Sequence, residues 1–283
     1  MHLKISMLAA LAFALPISTF ADTLLVDTGN VDGRMATASR PDSAGKIEIE
    51  AADDFILNNS ALVNSGTFTG LVPSGHNVTG VTVEIYRVFP ADSNNPPSGN
   101  VPTRANSPSD VAFDSRSSGT DLNFTATVLN NSFSAANSVL NGIHPIPGQT
   151  TGGDGAVTGQ EVQFSFTLTS PFSLPADHYF FIPQVELSSG EFYWLSSVRP
   201  IVAPGTPFAP DLQAWIRNAD LDPDWLRVGT DIVGGTAPPT FNGAFSLSGV
   251  ATPEPASIAL FGSGMLVLGV LLRRRRNNNQ ARS

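Results

Sequence analysis

Cysteine is missing from all 283 residues, so the chain has neither disulfides nor thiolate chemistry to draw on. Histidine is nearly absent too: between residues 22 and 252 only His76, His144 and His178 occur. His76 and His144 sit in Pro/Gly-rich stretches, and His178 precedes "YFFIPQ" as a strand-end residue. Three further signals are lacking: a G-x-S-x-G elbow, an H-E-x-x-H pair, and a Gly-rich loop followed by Lys and Ser or Thr. A catalytic triad or a facing carboxylate pair would have to be assembled by the fold alone. The expectation is a protein that is not an enzyme, with a secreted hydrolase as the lesser alternative. Positive charge is scarce as well. Residues 22–252 hold 9 basic against 23 acidic side chains, a net of −14, which excludes a nucleic-acid footprint and docking on anionic lipid.

What is present begins with an export signal. Lys4 gives a basic start, Ile5 to Phe20 is almost wholly apolar, and Ala21 supplies the small residue that cleavage requires. Residues 1–21 therefore read as a signal peptide, 22–252 as one ectodomain and 253–283 as a separate tail. The ectodomain has a period of two. In "VTVEIYRVF" Val81, Val83 and Ile85 alternate with Thr82, Glu84 and Tyr86, and in "EVQFSFTLTS" Val162, Phe164, Phe166 and Leu168 alternate with polar residues. Similar runs ("KIEIEAADDFIL", "DLNFTATVL", "HYFFIPQVEL", "EFYWLSSV", "FNGAFSLSGVA") are separated by turn clusters such as "NSGT", "VPSGHN" and "TTGGDG". The fold class is all-β: a β-sandwich, in a jelly-roll-like form, with a closed barrel as the alternative. Two short helices are predicted. One runs from Ser134 to Asn141 and is stopped by Gly142; the other is capped by Asp222 with Pro223 at its first position. Residues 96–110, rich in Pro and Ser, read as a surface loop.

Two binding chemistries can be read from the residues. "DLDPDWLRVGTD" sets Asp220, Asp222 and Asp224 at positions 1, 3 and 5 of a calcium loop and Asp231 at position 12. Trp225 stands where such a loop needs glycine, and the helix cap competes for Asp222, Pro223 and Asp224. No other cofactor is implied. Trp194, beside Phe192 and Tyr193, and Trp215 in "LQAWIRN" offer aromatic planes on which sugar rings could stack, as in a carbohydrate-binding module; the competing place for them is the core.

The tail carries the sharpest pattern. Residues 256–272 are uncharged and would extend about 25 Å as a helix, near a typical hydrocarbon core. Arg273, Arg274, Arg275 and Arg276 follow as a stop-transfer cluster that stays in the cytoplasm. The expectation is a single transmembrane helix with the ectodomain outside. Pro253, Glu254 and Pro255 form an extended segment just before it. With the N-terminal signal, this arrangement resembles the PEP-CTERM sorting signal. The resemblance implies an exosortase as partner, cutting near the motif of a membrane-anchored precursor and passing the protein to the outer surface of a Gram-negative cell that makes exopolysaccharide. It implies a surface or biofilm-matrix role, with extracellular polysaccharide as a partner.

Overall fold

The structure is a computed structural model that describes residues 22–252, apart from 44, 90–95, 144, 145, 147 and 199–210, together with 262–271 and 273. The signal-peptide assignment (1–21), the motif Pro253–Glu254–Pro255 and Arg274–Arg276 lie outside the described residues.

Fourteen strands are found among the described residues. In chain order they are β1 (Thr23–Asp27), β2 (Val31–Ala38), β3 (Ile49–Leu57), β4 (Ala61–Val72), β5 (Val78–Arg87), β6 (Asp114–Ser117), β7 (Leu122–Ala135), β8 (Asn137–Val139), β9 (Val157–Leu174), β10 (Asp177–Leu187), β11 (Tyr193–Ser197), β12 (Trp215–Asn218), β13 (Leu226–Arg227) and β14 (Phe245–Ala251). They form two sheets. The first runs β1-β14-β4-β11-β2-β8, and β9 pairs with β4 and carries β7 at the edge. The second runs β13-β12-β3-β10-β5-β6. The described pairings are antiparallel except for β2 with β8.

Alternation sends one set of residues from each sheet into a shared core. Phe68, Phe164, Phe166 and Phe245 of the first sheet meet Phe55, Tyr179 and Phe181 of the second. The rings interlock: Phe166 stacks on Phe181 at 6.1 Å between centroids, and Phe181 on Phe245 at 4.9 Å. Each such side chain contributes about 1.5–3 kcal/mol by leaving water. Gly66 makes the fit possible, since a Cβ there would lie 2.6 Å from the Phe166 ring and 2.4 Å from Ser246 O.

The second sheet is apolar on its other face too. Tyr86, Phe180, Ile182, Trp215 and Trp225 gather there under chain around Val88, Ala112 and Leu212. This explains the unbroken run Tyr179–Ile182, buried at every position. It also revises the reading of 96–110 as a surface loop. Val101, Arg104 and Ser107 are buried, and Val101 belongs to a core cluster with Ile216, Leu226 and Ile232.

Both predicted helices are corrected. Ser134 and Ala135 end β7, and Asn137–Val139 is a strand. Ala135 and Val139 are needed in the core, while the Asn137 amide donates to Gly152 O at 2.8 Å and accepts from Gly155 N–H at 2.9 Å, holding the glycine turn instead of a helix. At 220–225 the chain turns and enters β13; a single wide helical turn comes later, at Val228–Val233. Trp225 and Leu226, both fully buried, enter different clusters on opposite sides of an extended chain, which a helix would not permit.

Candidate functional site

The four aspartates of the calcium reading do not converge. Asp224 is fully buried and accepts from the backbone N–H of Ser98 at 2.8 Å and from its hydroxyl; Arg104 Nε lies 3.2 Å away, close enough for charge attraction but out of line for a hydrogen bond. Asp222 pairs with Arg217 at 2.7 Å. Asp231 takes both guanidinium arms of Arg227, at 2.7 and 2.9 Å, and its backbone N–H at 2.8 Å. Asp220 follows Asn218 in the turn. Among the described residues no group of three or more acidic or histidine side chains is arranged to hold a metal. Three of the four carboxylates that the spacing suggested as ligands are instead held by other side chains: Asp222 and Asp231 by nearby arginines, and Asp224 by Ser98 and Arg104 from a distant part of the chain.

Nor do the tryptophans present a platform. Trp194 is 2% exposed and donates its indole N–H to Ala244 O at 3.0 Å; Trp215 is 1% exposed and donates to Leu212 O at 3.1 Å. Trp225 packs edge-on against Tyr86. Sugar stacking on Trp194 or Trp215 is therefore corrected: both rings are core. His178 meets buried Asp54 at 2.6 Å, and Asp54 also accepts from Leu212 N–H, so this pair ties β10 to β3 and to the covering segment.

A polar cluster that sequence reasoning missed lies on the covered face of the second sheet. The Tyr86 hydroxyl donates to Glu50 at 2.7 Å and stands 3.4 Å from Glu84. Arg217 donates through Nε to Glu50 and through Nη2 to the Tyr86 oxygen at 3.0 Å, with its guanidinium over the Trp225 ring at 4.4 Å. Gln184 donates to Glu48 at 2.8 Å. Burial, reinforced by the Glu50 charge, pushes the Glu84 carboxyl up to about 8, and burial also pushes Glu48 up. Burial raises Tyr86 as well, with the Glu50 and Glu84 charges adding to it, so the phenol keeps its proton. For Arg217 burial works against the charge, but Glu50, Tyr86 and Asp222 outweigh it. The alternation in "VTVEIYRVF" placed Glu84 and Tyr86 on one face; their partners come from 50 and 217, which no local pattern links.

The first sheet presents the opposite surface. One end of its outer face is covered where Phe133 and Val157 of the β7–β9 hairpin pack with Ala36, Leu71 and Leu195. Beyond that end the face is open, and a cleft of about 380 Å³ lies on it. Leu24, Asp27, Thr69, Leu129, Glu161 and Gln163 are among its lining residues. Among the described residues the Glu161 carboxylate and the Gln163 amide have no side-chain partner, and burial pushes Glu161 up.

In the tail, residues 262–271 and Arg273 are helical, and the described side chains are exposed. Among the described residues no helix is long and apolar enough to cross a membrane. The chain matches no curated protein and no solved structure. Its C-terminal segment, residues 251–276, matches the family model of the PEP-CTERM protein-sorting motif, and so the tail is a sorting signal of that type.

Proposed function

We propose that this is an exported, non-catalytic surface or extracellular-matrix protein of a Gram-negative cell, anchored in the inner membrane as a precursor, delivered by an exosortase acting on its tail, and associated outside with exopolysaccharide in a biofilm. The observation that carries the reading is the sorting motif at 251–276, which implies export and processing at a membrane. Residues 256–272 supply the apolar segment and Arg273–Arg276 the charge that halts it. The buried ionisable groups of the ectodomain support a structural role for them. Glu50, Asp224 and Asp231 are each matched to arginine, which leaves no free acid–base pair among these three. A carbohydrate-binding module is the second reading, favoured by the open polar face of the first sheet rather than by any tryptophan.

Cells expressing the full chain provide the test. Changing Pro253–Glu254–Pro255 to alanines should leave membrane insertion intact and stop maturation, so that full-length protein accumulates in the membrane fraction. Changing Arg273–Arg276 to glutamine should weaken membrane retention during export. Identical maturation of both variants and the unaltered chain, followed by immunoblotting of membrane, surface and medium, would refute the sorting reading.

A further inference from the structure

The open face of the first sheet is built in rows. Cross-strand register aligns Asp27, Ser246, Thr67, Ser165 and Thr125 over β1, β14, β4, β9 and β7. A second row holds Leu24, Ser248, Ser65, Thr167 and Asn123, and a third holds Thr69, Gln163 and Thr127. Neighbouring strands lie about 4.8 Å apart, so the five-strand rows extend about 19 Å. Every residue of the three rows is polar except Leu24, and the rows carry a single charge, on Asp27. In the adjoining cleft stands Glu161, with no basic side chain among the described lining residues, and Leu24 and Leu129 supply apolar edges that are more than half exposed.

This set of groups discriminates among ligands. Hydroxyl and amide rows with only Leu24 and Leu129 at their edges give a lipid little apolar contact. Two carboxylates without a basic neighbour in the cleft repel phosphodiesters and uronates. A neutral sugar chain fits on each count. Its hydroxyls can donate to Glu161 and Asp27, they can donate to and accept from Gln163 and the Ser/Thr rows, and its C–H faces can rest on Leu24 and Leu129. The Glu161 carboxylate, partly removed from water with no partner of its own, is the group that gains most from a donated hydroxyl.

We propose that this face, centred on Glu161, Gln163 and Thr127, binds neutral polysaccharide along the rows. The proposal rests on the exopolysaccharide reading above and adds the place of contact and the charge class of the glycan. It relies on many modest hydrogen bonds over a length of chain in place of aromatic stacking.

The test uses the full chain, purified in a polyoxyethylene detergent that carries no sugar, in affinity electrophoresis through gels containing galactomannan, dextran or alginate. Retardation is expected in at least one of the two neutral polymers and not in alginate. Glu161→Gln and Thr127→Lys should each weaken it about tenfold, the loss expected when a charged hydrogen bond is removed or the row is blocked. Gln149→Lys, at an exposed loop position away from the face, should bind as the parent does. Failure of both neutral polymers to retard the parent, equal retardation in alginate, or unchanged binding by the two face variants would each overturn the proposal. So would a change of oligomeric state in those variants by sedimentation, which would assign the face to a second copy of the chain. Retention of the protein in isolated matrix separates the two readings. A parent that is not retained defeats the exopolysaccharide reading, whereas a parent and face variants retained equally defeat only the site.

Discussion

The outer faces of the two sheets are made by the same alternation and end in opposite environments. On the second sheet the outward residues of β5, β10 and β12 are Tyr86, Phe180, Ile182, Trp215 and Arg217, and they are roofed by chain from 96–113 and 211–225. On the first sheet, beyond the end covered by the β7–β9 hairpin, the outward residues of β4, β9, β14 and β7 are mostly serine and threonine, with Asn123, Glu161 and Gln163 among them, and much of that face lies bare. A roof over aromatic residues removes apolar area from water, and a roof over hydroxyls would have to match each of them with a partner. The contrast separates a face that stabilises the fold from one left free to meet something else.

Substitutions on the two faces test that contrast. The largest losses are expected under the roof. Trp225→Ala should lower stability by about 3–5 kcal/mol through the cavity it leaves. Arg217→Ala should cost a similar amount, since it strands Glu50 without its cation in a buried site. Denaturant unfolding measures both, and adding Glu50→Gln to Arg217→Ala should return part of the loss. The next effect is pH dependence. Glu84 titrates near 8 in the folded chain and near the ordinary carboxylate value when unfolded, so the fold binds a proton more tightly than the open chain. The stability it contributes is complete below the unfolded value and is lost as pH rises through about 8. The melting temperature should therefore fall between pH 6 and 9, and Glu84→Gln should flatten that slope. The smallest effect is expected on the bare face: Thr125→Lys and Thr167→Lys should shift stability by less than about 0.5 kcal/mol. A loss there as large as at Trp225 would mean that the two faces do not differ in the way described.

The strands were readable because their period is local. Val81, Val83 and Ile85 declare a face within five residues, and the structure uses it. The tail was readable because its parts are contiguous. The errors arose where a local signal was outbid by distant partners. Asp222, Pro223 and Asp224 satisfy the rules for a helix start, but Ser98, Arg104 and Arg217 claim the two aspartates from more than a hundred residues away in two of the three cases. Trp194 and Trp215 gave no sign in sequence of facing Ala244 or Leu212. The open face was half visible: the alternation of Thr125 and Thr127 with Phe124, Ala126 and Val128 marks a polar side, but not whether other chain would cover it.

The pairing of β1 with β14 has a consequence for how the molecule comes together. Thr23 lies opposite Gly249, and Thr252, just before Pro253–Glu254–Pro255, donates its N–H to Ser60 O at 2.7 Å. A loop of more than two hundred residues must close before the first strand finds its place. If export runs N-terminus first, as the signal-peptide reading proposes, β1 waits unpaired until nearly everything before the tail has crossed. Under the membrane-anchored precursor proposed above, the tail would hold the newly emerged β14 at the surface while that slow, long-range closure takes place.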